Sequence, residues 1–328
     1  MLKLIVRSAA ALCATFIGLP LASAQTSYPN KPIHLVVAFV PGGATDTFGR
    51  QIANDLQEAL GQPVVIDNRP GASGYIAWNH VASSDPDGYT LLLAENALAI
   101  SQALYKKTKS PFDPLTQYEA IAGLATSPSA LIVSNNVPVK SVAELVAYSK
   151  TVTTKMNFAS AGVGSVSHLN FEVFKDKTGM DAVHVPYKGG GQSMGDVLAG
   201  HVPMTITSVQ GVKGLVESGK VKALAVTSHT RSAAMPSVPT MQEAGVPAAD
   251  VELRFWFAIF GPKGMPADVK TKLGQTLAKV MADPKLDARL AKLDITPSFI
   301  PAAPMQTKLK SEIENWTRFI DAKGIKPQ

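Results

Sequence analysis

The sequence contains little cysteine and no concentrated run of basic residues. Its single cysteine among 328 residues, Cys13, lies within the first 24, so a chain without that segment has no thiol and forms no disulfide. Such a chain depends on hydrophobic cores, for which 46% hydrophobic residues suffice. Lys and Arg number 31 against 25 Asp and Glu, a formal net charge of +6, but no Lys/Arg-rich block concentrates the excess. We therefore expect no nucleic-acid binding, and the mild positive charge fits either an anionic ligand or ordinary surface charge.

Motifs of cofactor and metal binding are missing as well. The glycine-rich turns described below lack the GxGxxG spacing of dinucleotide sites and the GxxxxGK[ST] spacing of P-loops. No HExxH or HxH spacing occurs among the six histidines, His34, His80, His168, His184, His201 and His229. These absences predict a protein that has no cofactor and no metal and is not an enzyme.

The N-terminal segment has the three parts of a secretory signal peptide. Residues 1–24 contain the basic Lys3 and Arg7, an apolar run over 8–21, and a small-x-small cleavage site at 22–24. The apolar run is shorter than the roughly 20 residues of a membrane-spanning helix. We expect cleavage to leave 304 residues (328 − 24) and to export them to the periplasm.

Short apolar runs alternate with segments of helical period, which is typical of an α/β protein with a largely parallel sheet. The seven clearest runs are 34–39, 64–67, 89–94, 129–134, 182–187, 204–208 and 223–228. No Gly/Ser-rich or Pro-rich linker divides the chain. The pattern favours two lobes that are joined by short crossovers and enclose a cleft.

Apolar stripes and capping residues predict the helices between these runs. Ser141 and Glu144 form a capping box, and Gly61 is placed as a C-terminal cap. The core-facing stripes are Phe48, Ile52, Leu56 and Leu60; Val269, Leu273, Leu277 and Val280; and Leu309, Ile313, Trp316 and Ile320. We assign them to packing and to no function.

Three glycine-rich turns each follow a predicted strand and precede a predicted helix. They are 41–46 (PGGATD), 157–168 (NFASAGVGSVSH) and 187–193 (YKGGGQS). In the first, two glycines allow close approach to a ligand, and the helix start offers N–H groups to a carboxylate or phosphate. A tight turn with Thr45 or Asp46 as N-cap explains the same residues, and the sequence leaves both interpretations open.

With these segments the chain resembles the extracytoplasmic solute-binding proteins of tripartite tricarboxylate transporters, also called Bug receptors. Matching segments cover nearly all of the mature chain in the family's order. They are 28–53 (with HLVVAFVPGGATD), 64–93 (with VVIDNRPGASG), 157–169 (NFASAGVGSVSHL), 184–190 (HVPYKGG) and 222–247 (with KALAVTSHTR).

The resemblance implies an α/β type II periplasmic-binding-protein fold, two lobes with a ligand cleft between them. Lobe one would comprise 25–124 and 229–328, and lobe two 125–228. The protein would be a monomer that captures a small carboxylate for membrane transporter subunits. A sensory receptor for a carboxylate, or an enzyme on the same fold, remains as an alternative.

The resemblance also implies which residues surround the ligand carboxylate, and that ordered water bridges the protein and this carboxylate. Carried over to this sequence, they are Gly42, Gly43, Ala44, Thr45 and Asp46, then Ser160, Gly164 and Ser165, with Tyr187 and Lys188 nearby. Residues 190–195 and 199–203 depart from the family's pattern. The wall formed by the second lobe is therefore expected to be atypical, which leaves room for a ligand other than the common dicarboxylates.

Overall fold

The structure is a computed structural model that describes residues 28–106, 112–249 and 253–327. The expected signal peptide, 1–24, and Cys13 lie outside these residues. Within the described part, no helix has both the length and the apolar character needed to cross a membrane.

Strands and helices alternate along most of the chain. The strands are β1 (Ile33–Val37), β2 (Val64–Asn68), β3 (Thr90–Ala94), β4 (Tyr118–Ser127), β5 (Ser129–Ser134), β6 (Met156–Ser160), β7 (Ala182–Pro186), β8 (Met204–Ser208), β9 (Val221–Val226), β10 (Phe255–Pro262) and β11 (Thr296–Pro301). The helices are α1 (Ala44–Leu60), α2 (Tyr75–Ala82), α3 (Ala97–Tyr105), α4 (Pro114–Gln117), α5 (Val142–Ser149), α6 (Val166–Thr178), α7 (Gly190–Ala199), α8 (Val209–Glu217), α9 (Ala267–Met281), α10 (Pro284–Ala291) and α11 (Ala302–Lys323).

These strands form two sheets, which define two lobes. The first has the order β11-β4-β10-β3-β1-β2 and the second the order β7-β6-β8-β5-β9. All seven predicted apolar runs overlap strands of these sheets. The α/β class and the two-lobed architecture are thus confirmed.

The expectation of a largely parallel sheet is wrong. Strand β1 is parallel to β2 and β3, and β6 is parallel to β7 and β8. Strand β10 is antiparallel to β3 and β4, β11 to β4, and β5 to β8 and β9. The reason is the connectivity, because the chain enters β5 and β10 from the other sheet. Each of these two strands begins at the sheet edge where its neighbours end, and it therefore runs in the opposite direction to them.

The strand directions place one edge of the first sheet beside one edge of the second. The carboxyl ends of β1, β3 and β4 share one edge with the start of β10. Only Pro128 separates the end of β4 from the start of β5, so the corresponding edge of the second sheet adjoins it. Open α/β sheets bind ligands beyond the carboxyl ends of their strands.

The predicted stripes pack inward as expected. Phe48, Ile52 and Leu56 of α1 are buried in the core of the first lobe, and Gly61 ends the helix in the left-handed conformation. Ser141 Oγ accepts from the Glu144 N–H, which confirms the cap of α5. The stripes of α9 and α11 are buried in the same core as α1, and so is one side of α6, a helix of the second lobe.

Candidate functional site

The turn between β1 and α1 leaves the helix start without a side-chain cap. Gly43 is the N-cap residue, with φ −71° and ψ 171°, and it has no side chain to offer. Of the two interpretations that the sequence left open, the one in which Thr45 or Asp46 caps α1 is excluded, since both lie within its first turn. The N–H groups of that turn, together with the partial positive charge of the helix start, could therefore bind an anion without competition from a side-chain cap.

Asp46 holds the turn in shape. Its carboxylate accepts from the Gly42 N–H at 2.9 Å and from Asn68 Nδ2 at 3.0 Å, and Arg50 donates to both of its oxygens. Burial opposes ionisation, but the bonds from Arg50, Gly42 and Asn68 outweigh it and keep the pKa of Asp46 below its ordinary value. The Arg50 charge thus compensates the Asp46 carboxylate, and Gly42 takes the φ of +82° that this arrangement needs.

Thr45 contacts a second carboxyl group that sequence reasoning did not select. Its hydroxyl donates to Glu95 Oε2 over 2.8 Å, and the two residues are 2% and 7% exposed. Burial raises the pKa of Glu95 to about 7, against the opposing effect of the Thr45 bond. The available signal was an acidic residue directly after the apolar strand β3, at the edge where ligands bind.

In the second lobe, serine hydroxyls organise the turn between β6 and α6. Ser165 is the N-cap of α6 and accepts from the His168 N–H, while its own hydroxyl donates to the Gly162 carbonyl at 2.6 Å. Ser160 Oγ lies 2.6 Å from His184 Nε2 and accepts from the Gly162 N–H. The structure thus brings the predicted serines together, but their hydroxyls mainly stabilise the backbone of this turn.

Two stacked imidazoles lie beneath this turn. The rings of His168 and His184 are 3.9 Å apart at 14°, and His168 Nδ1 accepts from the Gly164 N–H. Burial lowers the pKa of His168 to about 3, with help from the neighbouring His184 and Lys175, and lowers that of His184 to about 4. Both rings are therefore neutral near pH 7, and Gly164 adopts a φ of +78° in the turn they support.

The third turn follows β7. The Tyr187 hydroxyl donates to Asp196 Oδ2 at 2.5 Å, and the Lys188 N–H donates to Gln192 Oε1. Lys188 is exposed and Tyr187 half-buried. The polar tip of Tyr187 therefore points to its own lobe.

The expectation that the chain lacks enzyme signatures overlooked one pattern. Residues 191–195 read GQSMG and match the GxSxG spacing of serine hydrolases. That motif requires an exposed serine on a strand-to-helix turn. Ser193 instead lies within α7, is 2% exposed, and donates to the Gly190 carbonyl. The geometry of a hydrolase nucleophile is absent at this serine.

The three turns meet across the two lobes. A Cβ at Gly189 would lie 3.7 Å from Val40 Cγ2, which directly precedes the first turn. A Cβ at Gly164 would lie 3.4 Å from Ser101 Oγ of α3, and one at Gly162 would lie 3.2 Å from the Tyr187 carbonyl. Among the described residues, no three His, Cys, Asp or Glu side chains gather as a metal site would need.

Two α/β lobes with glycine-rich turns on facing edges define the class of type II periplasmic binding proteins. The chain belongs to the tripartite tricarboxylate transporter family of receptors, since the model described as "Tripartite tricarboxylate transporter family receptor" matches residues 48–325. The family resemblance inferred from the sequence is confirmed, and with it the coarse function of periplasmic solute-binding protein.

Individual relatives agree along nearly the whole chain. Protein BugT of Bordetella pertussis is 34% identical over 93% of this chain and 92% of its own length. The structure "R. palustris Rpa4515 with adipate" has a TM-score of 0.86 and 34% identity over 92% of this chain and all of that one. MatC from Rhodopseudomonas palustris with bound malate has a TM-score of 0.80 and 28% identity, covering 89% and 99% of the two chains.

Proposed function

We propose that the protein binds a small carboxylate in the periplasm and delivers it to a membrane transporter. One observation carries the proposal: the uncapped start of α1, next to an acidic residue whose charge Arg50 already compensates. Such a helix start attracts a carboxylate, and the Asp46–Arg50 pair adds no net repulsion. The adipate and malate bound by the two related structures are carboxylates of the expected kind.

The ligand site that we propose has two walls. In the first lobe, Gly43 lets the backbone approach the ligand, the N–H groups of Ala44 and Thr45 donate to it, and Gly42 and Asp46 fix the turn. The wall of the second lobe comprises Ser160, Gly164 and Ser165, with Tyr187 and Lys188 at its margin. In this arrangement, Ser160 and Ser165 shape the backbone more than they supply free hydroxyls.

We further propose that the lobes close around the ligand. The chain passes between the sheets at Pro128 and again between β9, which ends at Val226, and β10, which begins at Phe255, so two connections form the hinge. The first boundary then lies at Pro128, a few residues after the one expected at 124/125, because β4 continues to Ser127. We place the return to lobe one after Val246 and not at 228/229, because Met235, Val238, Met241 and Val246 are buried in the cores of lobe two. We keep 1–24 as the export signal.

The test is calorimetric titration of the chain from residue 25 onward with adipate, malate and shorter monocarboxylates. A ligand present at about 100 times its Kd adds roughly 2.7 kcal/mol to the free energy of unfolding, so a thermal-shift screen detects it first. Gly43→Val should abolish binding, whereas Gly214→Val, at an open position on α8, should not. Failure of every carboxylate to bind would refute the proposal.

A further inference from the structure

Thr45 and Glu95 form the part of the site that a simple carboxylate leaves unexplained. Thr45 Oγ1 donates to Glu95 Oε2. A hydroxyl has one proton, and an ionised carboxylate has none. While Glu95 is ionised, its second oxygen and the free lone pair of Thr45 Oγ1 can therefore only accept hydrogen bonds.

Hydrogen-bond donors lie directly beside these acceptors. Thr45 is the second residue of α1, so its own N–H and that of Ala44 belong to the uncapped first turn. The donors at the helix start require an acceptor on the ligand, and the acceptors on the adjoining side chains require a donor on it. A carboxylate with a neighbouring proton donor satisfies both.

Glu95 also has no cationic partner from the described parts of the chain. Within 28–106, 112–249 and 253–327, no Lys, Arg or His forms an ion pair with it, and the guanidinium of Arg50 is bound to Asp46. A carboxylate that is 93% buried and lacks a cation is unfavourable. A positively charged group on the ligand would remove that cost and would also balance the ligand's own carboxylate.

We infer that the ligand is an amino carboxylate, and that Glu95 together with Thr45 binds the ammonium group next to the carboxylate held at the start of α1. This inference rests on the proposed function and names its substrate class. Glu95 is then the residue that determines specificity between amino carboxylates and plain carboxylates of the same length.

The protonated form of Glu95 would have the opposite preference. A neutral carboxyl donates to Thr45 Oγ1, and the threonine hydroxyl is then free to donate to a ligand carboxylate. Glu95→Gln mimics this state permanently, because its amide NH2 donates to Thr45 while its volume is unchanged. The variant should therefore prefer the plain carboxylate.

The experiment measures Kd by calorimetry for three matched pairs: aspartate and succinate, glutamate and glutarate, and 2-aminoadipate and adipate. The buffer is held at about pH 8, where a group with a pKa near 7 is mostly ionised. The wild type should bind the amino member of the best-fitting pair about 10- to 100-fold more tightly, as a charged hydrogen bond requires. Glu95→Gln should lose or reverse this ratio.

The matched control is Glu58→Gln, which removes an exposed acidic group from the same lobe and should leave the ratio unchanged. A wild type that binds plain carboxylates as tightly as their amino partners would overturn this inference and leave the proposed function standing. So would an unchanged ratio in a folded Glu95→Gln variant. If no member of any pair binds but malate or a monocarboxylate does, this inference alone is overturned. If malate and the monocarboxylates fail as well, the proposed function is overturned and this inference with it.

Discussion

Glu95→Gln should change how the stability of the ligand-free protein depends on pH. The pKa of Glu95 is raised from 4.5 to about 7 by burial, so the folded state keeps its proton to higher pH than the unfolded state. Between these two values the folded state binds more protons, and its free energy of unfolding falls as pH rises. A shift of about 2.5 pKa units at 1.36 kcal/mol each amounts to about 3 kcal/mol, lost between roughly pH 4.5 and 7.

Glutamine does not ionise, so the variant lacks this loss. We expect the stability of Glu95→Gln relative to wild type to rise by about 3 kcal/mol between roughly pH 4 and 8, and to level off above that. Urea unfolding of both proteins at a series of pH values, followed by tryptophan fluorescence, measures the difference. Other titrating groups contribute equally to both proteins and cancel.

The reasoning would be refuted by a stability difference that stays constant over this range. Glu58→Gln is the control, because the exposed Glu58 makes no ion pair with any described residue and its replacement should shift stability by less than about 0.5 kcal/mol at every pH. A dependence that appears in the control as well would mean that the global charge, and not the buried Glu95 carboxyl, is responsible.

Four other substitutions probe the turns. Gly43→Val should abolish ligand binding in calorimetry with little loss of stability, because φ is negative there, whereas Gly42→Ala should cost about 1 kcal/mol in urea unfolding because φ is positive. Arg50→Ala should raise the pKa of Asp46 towards its ordinary value, observed by carboxyl NMR titration, and should make the loss of stability on acidification smaller than in the wild type. His168→Phe should cost about 1–3 kcal/mol in urea unfolding, because it leaves a backbone N–H without its acceptor.

Each of these predictions has a contrary outcome. Tight binding by Gly43→Val would show that the first turn does not hold the carboxylate. An unchanged Asp46 titration in Arg50→Ala would mean that Gly42 and Asn68 stabilise the carboxylate by themselves. Full stability of His168→Phe would show that the imidazole does not support the turn before α6.

The sequence predicted seven strands that are short apolar runs, but it missed the apolar strand β10 and strands with other signals. Strand β4 is rich in alanine and glycine, whose small side chains give little hydrophobic contrast. Strand β11 contains two prolines and lies at the edge of its sheet, where proline is tolerated. The direction of β10 follows from the fact that the chain enters this strand from the other lobe. No local sequence pattern predicts that connection.

The positions of the site turns could be predicted, but the orientations of their side chains could not. Asp46 is held by Asn68, which is 22 residues away on another strand, and Thr45 pairs with Glu95, 50 residues away. The spacing of residues along the sequence does not predict such hydrogen-bond partners, because the order of the strands in the sheet determines which residues meet. The sequence could not decide on the cap of α1 for the same reason, since both polar side chains of its first turn have distant partners.

The two carboxyl groups beside α1 illustrate how one turn can recognise a charged ligand without repelling it. Asp46 and Glu95 touch the same segment, yet hydrogen bonds from Arg50, Gly42 and Asn68 lower the pKa of the first while burial raises that of the second. Two carboxyl groups whose environments shift their pKa values in opposite directions can have two different roles. Asp46, whose pKa is lowered, fixes the backbone of the turn at which we propose that the ligand carboxylate binds. Glu95 titrates near neutrality, so its charge can match the group that the ligand places beside that carboxylate.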